Sequence, residues 1–174
     1  MICLSETWIT NSSQSDNLTI DGYRLEMLNT GKGRGVAMYV QDDIDYTLQP
    51  LLCEECDALA IKAYGASNLL IVAVYKPVAT SKAAFCKEMS NITAQTELLD
   101  TDYTVFVGDF NHNLLKETVL PPLRQYSQLI TEPTTTNGTL LDHIYITPRP
   151  PPSRYEAGVL TSYYSYHAPD PSLS

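Results

Sequence analysis

Short apolar segments alternate with polar, turn-forming segments along most of the chain. Seven apolar segments are rich in β-branched and aromatic residues and are bounded by Gly, Pro, Asn or Asp, which is typical of strands. They lie at residues 1–4, 35–40, 58–64, 69–75, 103–108, 143–147 and 157–163. The turn-rich sequence GASN separates the third from the fourth and predicts a β-hairpin between them.

One segment has helical periodicity instead. From residue 81 to 99, apolar side chains between Phe85 and Leu99 recur at helical spacing, and Thr80 or Ser81 is placed to cap the first turn. A second, weaker helix is predicted at residues 117–126, where two prolines allow a helix only from its first turn.

Many strands and few helices favour an α/β or α+β sandwich over a doubly wound parallel sheet. A chain of 174 residues is long enough for one such domain and its core, and too short for two of ordinary size. The final residues, 170–174, carry little apolar surface, and we expect a disordered tail there.

Composition restricts the possible functions. The net charge of -9 and the sequence pI of about 4.6 argue against a protein that holds nucleic acid through a broad basic surface. Contact with a polyanion would therefore be local, and a bound divalent cation could supply the positive charge. No apolar run approaches the ~20 residues of a membrane span, and no cleavable signal opens the chain. We expect a soluble intracellular protein.

Polar clusters follow several predicted strands. They read SETW at 5–8, VYKP at 74–77, GDFNHN at 108–113, LLDHIY at 140–145 and SYYSYHAP at 162–169. A sheet fixes the backbone at such positions while the next loop reaches solvent, so strand ends are good mounts for a site. Each cluster alone also permits a structural role, such as an Asx-turn. Their order and spacing together indicate a site.

In that order and spacing, the clusters resemble the endonuclease/exonuclease/phosphatase superfamily, and GDFN followed by LDHI carries most of the resemblance. Within the superfamily the sequence is most similar to the endonuclease domain of non-LTR (LINE-type) retrotransposons, which is related to apurinic endonucleases and deoxyribonuclease I. The resemblance covers residues 2–169. It implies a four-layer α/β/β/α sandwich with its site where loops of two packed sheets meet.

The resemblance also implies roles for the metal and for the attacking water. Glu6 is similar to the carboxylate that holds the catalytic Mg²⁺ (or Mn²⁺), a hard cation that takes oxygen ligands. Asp109 is similar to the residue that activates or orients the attacking water, and Asn111 to the residue that positions this aspartate and the phosphate. Tyr75 is similar to the tyrosine that donates a hydrogen bond to the scissile phosphate.

Further roles follow from the same resemblance. Asp142 is similar to the aspartate that hydrogen-bonds the catalytic histidine, here His167. Thr134 and Ser165 are weaker matches to substrate-binding residues. Phosphodiester hydrolysis requires a cation, hydrogen-bond donors and a positioned water, and this set supplies residues suited to hold or provide all of them.

The sequence departs from the family pattern at three places. The family motif SDH reads SYH here, so Tyr166 replaces an acidic residue beside the metal. The family's first strand and last strand have no counterparts, from which we expect a domain truncated at both ends, a fragment or decayed copy of a mobile element.

Three functions stay open: a Mg²⁺-dependent DNA-nicking endonuclease, impaired or intact; a catalytically dead remnant or binding scaffold; and a phosphoesterase acting on lipid or inositol phosphates. The first implies DNA as partner, a reverse-transcriptase domain in the parent element and, if active, a nuclear location.

Overall fold

The computed structural model describes residues 1–8, 18–28, 31, 33–148 and 157–159. Within these ranges the elements are β1 (Ile2–Ser5), β2 (Tyr23–Leu28), β3 (Val36–Gln41), β4 (Tyr46–Gln49), β5 (Asp57–Ala63), β6 (Leu69–Tyr75), α1 (Lys82–Glu97), β7 (Tyr103–Asp109), a 3₁₀ turn (Pro121–Leu123), β8 (Ser127–Gln128) and β9 (Asp142–Thr147). No helix in these ranges is both long and apolar enough to cross a membrane.

The first six predicted strands are confirmed, as is the predicted hairpin, which is the antiparallel pair β5–β6. The seventh, at 157–163, is not supported where it can be checked, because 157–159 form no strand; its other residues lie outside the described part of the chain. The predicted helix at 117–126 is wrong. Only a 3₁₀ turn, Pro121–Leu123, forms there. A proline has no N–H to donate to the helical hydrogen-bond pattern, and the second proline restricts the backbone of the first.

The strands form two sheets. The smaller is antiparallel, in the order β1-β3-β2, and the larger has the order β4-β5-β6-β7-β9-β8. In the larger sheet β6 and β7 are parallel, and the other neighbours are antiparallel. A parallel pair requires a crossover connection, and α1 provides it.

The helix α1 covers one face of the larger sheet. It begins after Ser81, whose hydroxyl accepts a hydrogen bond from the Ala84 N–H at 3.1 Å, as the capping pattern predicts. The apolar stripe of Phe85, Met89 and Ile92 is fully buried and packs on the sheet in one core cluster. This core holds β6 and β7 flat against the helix.

The opposite face of the larger sheet packs on the smaller sheet. Alternate residues of β6 divide between the two cores: Leu70, Val72 and Val74 face α1, and Ile71, Ala73 and Tyr75 face the smaller sheet. The described residues therefore supply three layers in the order helix, large sheet, small sheet. These match the expected α/β/β/α sandwich as far as the described ranges extend, and in those ranges no helix covers the outer face of the small sheet.

Candidate active site

Strand register places three of the predicted site residues side by side. Tyr75, the last residue of β6, pairs with Asp109, the last residue of β7. Asp109 pairs in turn with Asp142, the first residue of β9. Glu6 follows β1 directly and reaches the same edge, where it contacts Tyr75. Residues that are far apart in the sequence therefore meet at one end of the sandwich.

Glu6 and Tyr75 form a direct contact between the two sheets. The Tyr75 hydroxyl donates a hydrogen bond to Oε1 of Glu6 at 2.5 Å. Burial raises the pKa of Tyr75, and the bond to Glu6 and the negative charges of Glu6 and Asp109 raise it further, so the phenol stays protonated and remains a donor. Glu6 has a φ of 51°, a left-handed conformation uncommon for residues other than glycine.

Asp109 and Asn111 form a second, tightly bonded unit. The backbone N–H of Asn111 donates to Oδ1 of Asp109 at 2.8 Å, and its side-chain Nδ2 donates to Oδ2 at 3.2 Å. The same Nδ2 donates to the carbonyl of Lys76 at 2.9 Å, so the amide fixes the carboxylate relative to the end of β6. Asn111 has a φ of 42°, which Asn tolerates better than most residues. The rotamer of Asp109 is thus set by the chain around it.

Gly108 allows β7 to deliver Asp109 at this position. Its φ is +143°, and a Cβ placed on it would lie 2.0 Å from the carbonyl oxygen of Val74 on the neighbouring strand. Only a residue without a side chain permits this approach of the two backbones.

Thr134 holds the start of β9. Its hydroxyl oxygen accepts hydrogen bonds from the backbone N–H groups of Leu141 and Asp142, each at 3.1 Å. The Asp142 side chain is exposed at the mouth of a cavity of about 310 Å³ between β1 and the larger sheet, and Thr134 and Gly108 line the same cavity. Thr134 therefore positions the segment that carries Asp142.

Negative charges crowd the site. Burial raises the pKa of Asp109 to about 6, and the carboxylates of Asp142 and Glu6 add to the rise. The Asn111 N–H and the Lys76 ammonium act in the opposite direction without cancelling it. The site consequently holds more negative charge than its own residues neutralise, which favours a cation.

The raised pKa of Asp109 predicts a pH-dependent stability of the metal-free protein. Between its ordinary pKa of about 4 and the folded value of about 6, the folded chain retains a proton that the unfolded chain has lost. Stability should therefore fall as pH rises through this window, by at most about 3 kcal/mol for this group. Urea unfolding with a chelator at several pH values, compared with Asp109→Asn, measures it. The difference between the two proteins should change by that amount from pH 4 to 6; a constant difference would contradict the prediction.

A partly buried ion pair that the sequence did not predict lies beside Tyr75. Asp57, at 1% exposure, accepts a hydrogen bond from Nη2 of Arg34 at 2.7 Å and another from the Gly35 N–H at 2.8 Å. Asp57 also pairs with Tyr75 across β5 and β6. No sequence pattern links Arg34 to Asp57, so only the strand register shows the connection.

Lys76 was also missed, although it stands in the VYKP cluster. Its backbone N–H donates to the Asp109 carbonyl at 2.9 Å, and its side chain is buried over the ring of Phe85, 5.9 Å from the ring centroid. Burial lowers its pKa, and the negative charges of Asp109 and Glu117 oppose the shift. It is the cation nearest in sequence to the paired ends of β6 and β7.

Ser165 and His167 lie outside the described residues, together with Tyr166, so their sequence-based roles stay predictions. Among the residues that are described, the structure brings together Glu6, Tyr75, Asp109, Asn111 and Asp142, with Thr134 beneath Asp142. In these parts of the chain no group of three or more His, Cys, Asp or Glu side chains is arranged to enclose a metal ion.

Solved structures with the same fold give an independent comparison. TDP2 of D. rerio, complexed with a single-strand DNA product, matches with a TM-score of 0.59 at 12% identity, over 86% of this chain and 72% of that one. The human Nocturnin catalytic domain with a bound sulfate anion matches with a TM-score of 0.56 at 15% identity, over 84% and 68%. An endonuclease/exonuclease/phosphatase family protein of Bacteroides thetaiotaomicron matches with a TM-score of 0.50 at 11% identity, over 78% and 64%.

These likenesses show the fold. The chain has the fold of the endonuclease/exonuclease/phosphatase superfamily. It spans about half the length of one Caenorhabditis elegans TDP2 chain, 52%, and 69% of a truncated form of that protein. No protein-family model matches the sequence, and no curated protein matches it either.

Proposed function

We propose that this chain is a Mg²⁺-dependent phosphodiesterase that nicks DNA, derived from the endonuclease domain of a LINE-type retrotransposon. One observation carries the proposal: the Glu6–Tyr75 contact and the Asp109–Asn111 unit lie side by side at the ends of two parallel strands. A carboxylate for a cation, a phenol donor and a carboxylate for water are the groups that phosphodiester hydrolysis needs.

The donors present fit a magnesium ion. Mg²⁺ is commonly bound by one or two carboxylates and completes its shell with water and substrate phosphate, so an enclosing cluster of side chains is not required. Glu6 would hold the ion, because it is exposed and its Oε1 is already oriented by Tyr75. When bound, the ion would neutralise charge on the phosphate oxygens. It would also offset the repulsion from Asp142 and Glu6, which adds to the effect of burial on the pKa of Asp109.

The protein's own groups have distinct tasks in this proposal. Asp109 accepts a proton from the attacking water, and Asn111 keeps the carboxylate from rotating through its two hydrogen bonds. Tyr75, kept protonated by its surroundings, would give up its bond to Glu6 when the ion binds there and donate its single O–H to a non-bridging phosphate oxygen. We assign to His167, oriented by Asp142, the stabilisation of charge on the phosphate and leaving group.

DNA is favoured over lipid or inositol phosphates for two reasons. The ETW and YKP clusters have the form found in the retrotransposon family, and the D. rerio TDP2 structure, which shares the fold, contains a single-strand DNA product. In this proposal a reverse-transcriptase domain of the parent element is the natural partner.

Nicking of supercoiled plasmid tests the function. We expect purified protein to convert supercoiled DNA to the relaxed circle with Mg²⁺ or Mn²⁺. Nicking should stop when the ion is chelated, because the ion supplies the positive charge that stabilises the phosphate oxygens. Glu6→Gln should require more metal for the same rate. Inositol phosphates and phosphoinositides, assayed in parallel by phosphate release, should remain intact. Release of phosphate without nicking would contradict the DNA-nicking proposal and favour a phosphoesterase acting on lipid or inositol phosphates.

A binding scaffold without turnover is the second candidate, because Tyr166 stands where the family motif SDH has an acidic residue. Restoring the acid with Tyr166→Asp separates the two. A large gain in cleavage would assign the loss to this position, whereas DNA binding with no cleavage by either protein would favour the scaffold.

A further inference from the structure

The side chain of Trp8 is exposed beside the site and is unassigned by the proposed reaction. It is the single tryptophan of the chain and is 50% exposed. Its φ is 56°, and a left-handed backbone is a true outlier for a bulky residue. An exposed indole on strained backbone contributes little to stability, and such strain is concentrated at functional sites.

The indole is held by a loop of the smaller sheet. The Trp8 backbone N–H donates to the Arg34 carbonyl at 3.2 Å, and the Thr7 N–H donates to the Gly35 carbonyl at 3.4 Å. The ring rests on Gly33, where a Cβ would meet Cζ2 of Trp8 at 3.7 Å, ordinary contact distance. The aromatic surface is therefore fixed on one side and open to solvent on the other.

The same loop is tied to the reaction site. Arg34 is bound by the buried carboxylate of Asp57, and Asp57 pairs in register with Tyr75, which contacts Glu6. Only Thr7 lies between Glu6 and Trp8, so their Cα atoms are at most about 7 Å apart. A nucleotide next to a phosphate bound at Glu6 and Tyr75 can consequently reach the indole.

We propose that Trp8 is a stacking platform for a nucleobase next to the phosphate bound at Glu6 and Tyr75. This inference rests on the proposed function and specifies its substrate as nucleic acid with an unpaired or splayed base. The charge of Arg34 is already used by Asp57, and the chain carries a net charge of -9. Affinity must then come from contacts other than a basic groove, and every base has a face that can stack on an aromatic ring.

The single tryptophan makes the stacking directly observable. In an Asp109→Asn background, which prevents cleavage, titration with a single-stranded DNA oligonucleotide should quench tryptophan fluorescence to saturation. The same oligonucleotide with abasic tetrahydrofuran residues keeps the phosphates and lacks the bases. It should bind about tenfold or more weakly and quench little. Equal quenching by both oligonucleotides, or none by either, would overturn the proposal.

Substitutions provide the second measurement, with binding followed by anisotropy of a labelled oligonucleotide. Trp8→Ala should weaken binding about tenfold or more, and Trp8→Phe should retain most of it, because a smaller ring still stacks. Tyr64→Ala is the matched control: Tyr64 is 44% exposed and follows β5 at the end opposite Asp57, so its loss should leave binding unchanged. Wild-type affinity of Trp8→Ala would contradict the assignment.

The two proposals fail in distinguishable ways. Base-dependent quenching without plasmid nicking would refute the reaction and leave the stacking platform in place. Nicking at the wild-type rate and affinity by Trp8→Ala would refute the platform and leave the reaction in place.

Discussion

Asp109→Asn should lower the rate of Mg²⁺-dependent DNA nicking by about 10³-fold, the scale of a lost general base. The amide keeps the size of the carboxyl group and can still accept the bond from the Asn111 backbone N–H. It loses the bond from Asn111 Nδ2, and it cannot take a proton from water. Initial rates of plasmid relaxation at matched protein concentration measure the loss. Because burial and neighbouring carboxylates raise the pKa of Asp109, the variant is relieved of an unfavourable charge above pH 6, which opposes the loss of the bond from Asn111 Nδ2.

The control for this result is Asp43→Asn, which removes the same charge from an exposed turn after β3 and should leave the rate unchanged. Nicking by Asp109→Asn at the wild-type rate would show that a contaminating nuclease performs the reaction, or that another group is the base. A slow rate accompanied by unfolding would be visible as a lost cooperative transition in urea.

Gly108→Ala should destabilise the fold by about 3 kcal/mol or more, because the change combines a steric overlap with an unfavourable backbone conformation. The added methyl group would lie 2.0 Å from the Val74 carbonyl oxygen, and the φ of +143° is one that L residues rarely adopt. Relief requires β6 and β7 to separate at the position where Tyr75 and Asp109 meet. Urea unfolding monitored by circular dichroism gives the change in free energy.

Gly65→Ala serves as the matched control for this substitution. A Cβ at Gly65 would meet its nearest atom, the Ser67 carbonyl oxygen, at 3.8 Å, and its backbone is not left-handed. Its effect should stay within about 0.5 kcal/mol. If Gly108→Ala were equally mild, β6 and β7 could not approach each other as closely as described.

The strands that sequence predicted were those with dense apolar, β-branched content. β6 reads LLIVAVY and is buried on both faces, so it gives a continuous signal. β2 reads YRLEML and was missed, because Arg24 and Glu26 interrupt the apolar run even though alternate residues still pair with β3. β8 has two residues, Ser127 and Gln128, and exists only because β9 lies beside it.

The candidate site divides along the same line. Residues at strand ends could be found, because polar groups directly after apolar runs are visible in sequence, as with Asp109 at the end of β7. The support provided by Arg34 and Asp57 could not be found, and the resemblance named Thr134 as a substrate-binding residue without indicating its bonds to the start of β9. Their partners are chosen by sheet register and loop geometry, which no local pattern encodes.

The parallel pairing of β6 and β7 has a consequence for how such a protein can diverge. Both strands run toward the same edge, so their register keeps Tyr75 and Asp109 neighbours, and Lys76 at the start of the crossover bonds to the same unit. Changes beyond Lys76 can therefore be accommodated without moving the two side chains apart, provided that the apolar stripe of α1 stays packed on the sheet. Most of the longest connection in the larger sheet can therefore change in sequence while the positions of Tyr75 and Asp109 are kept.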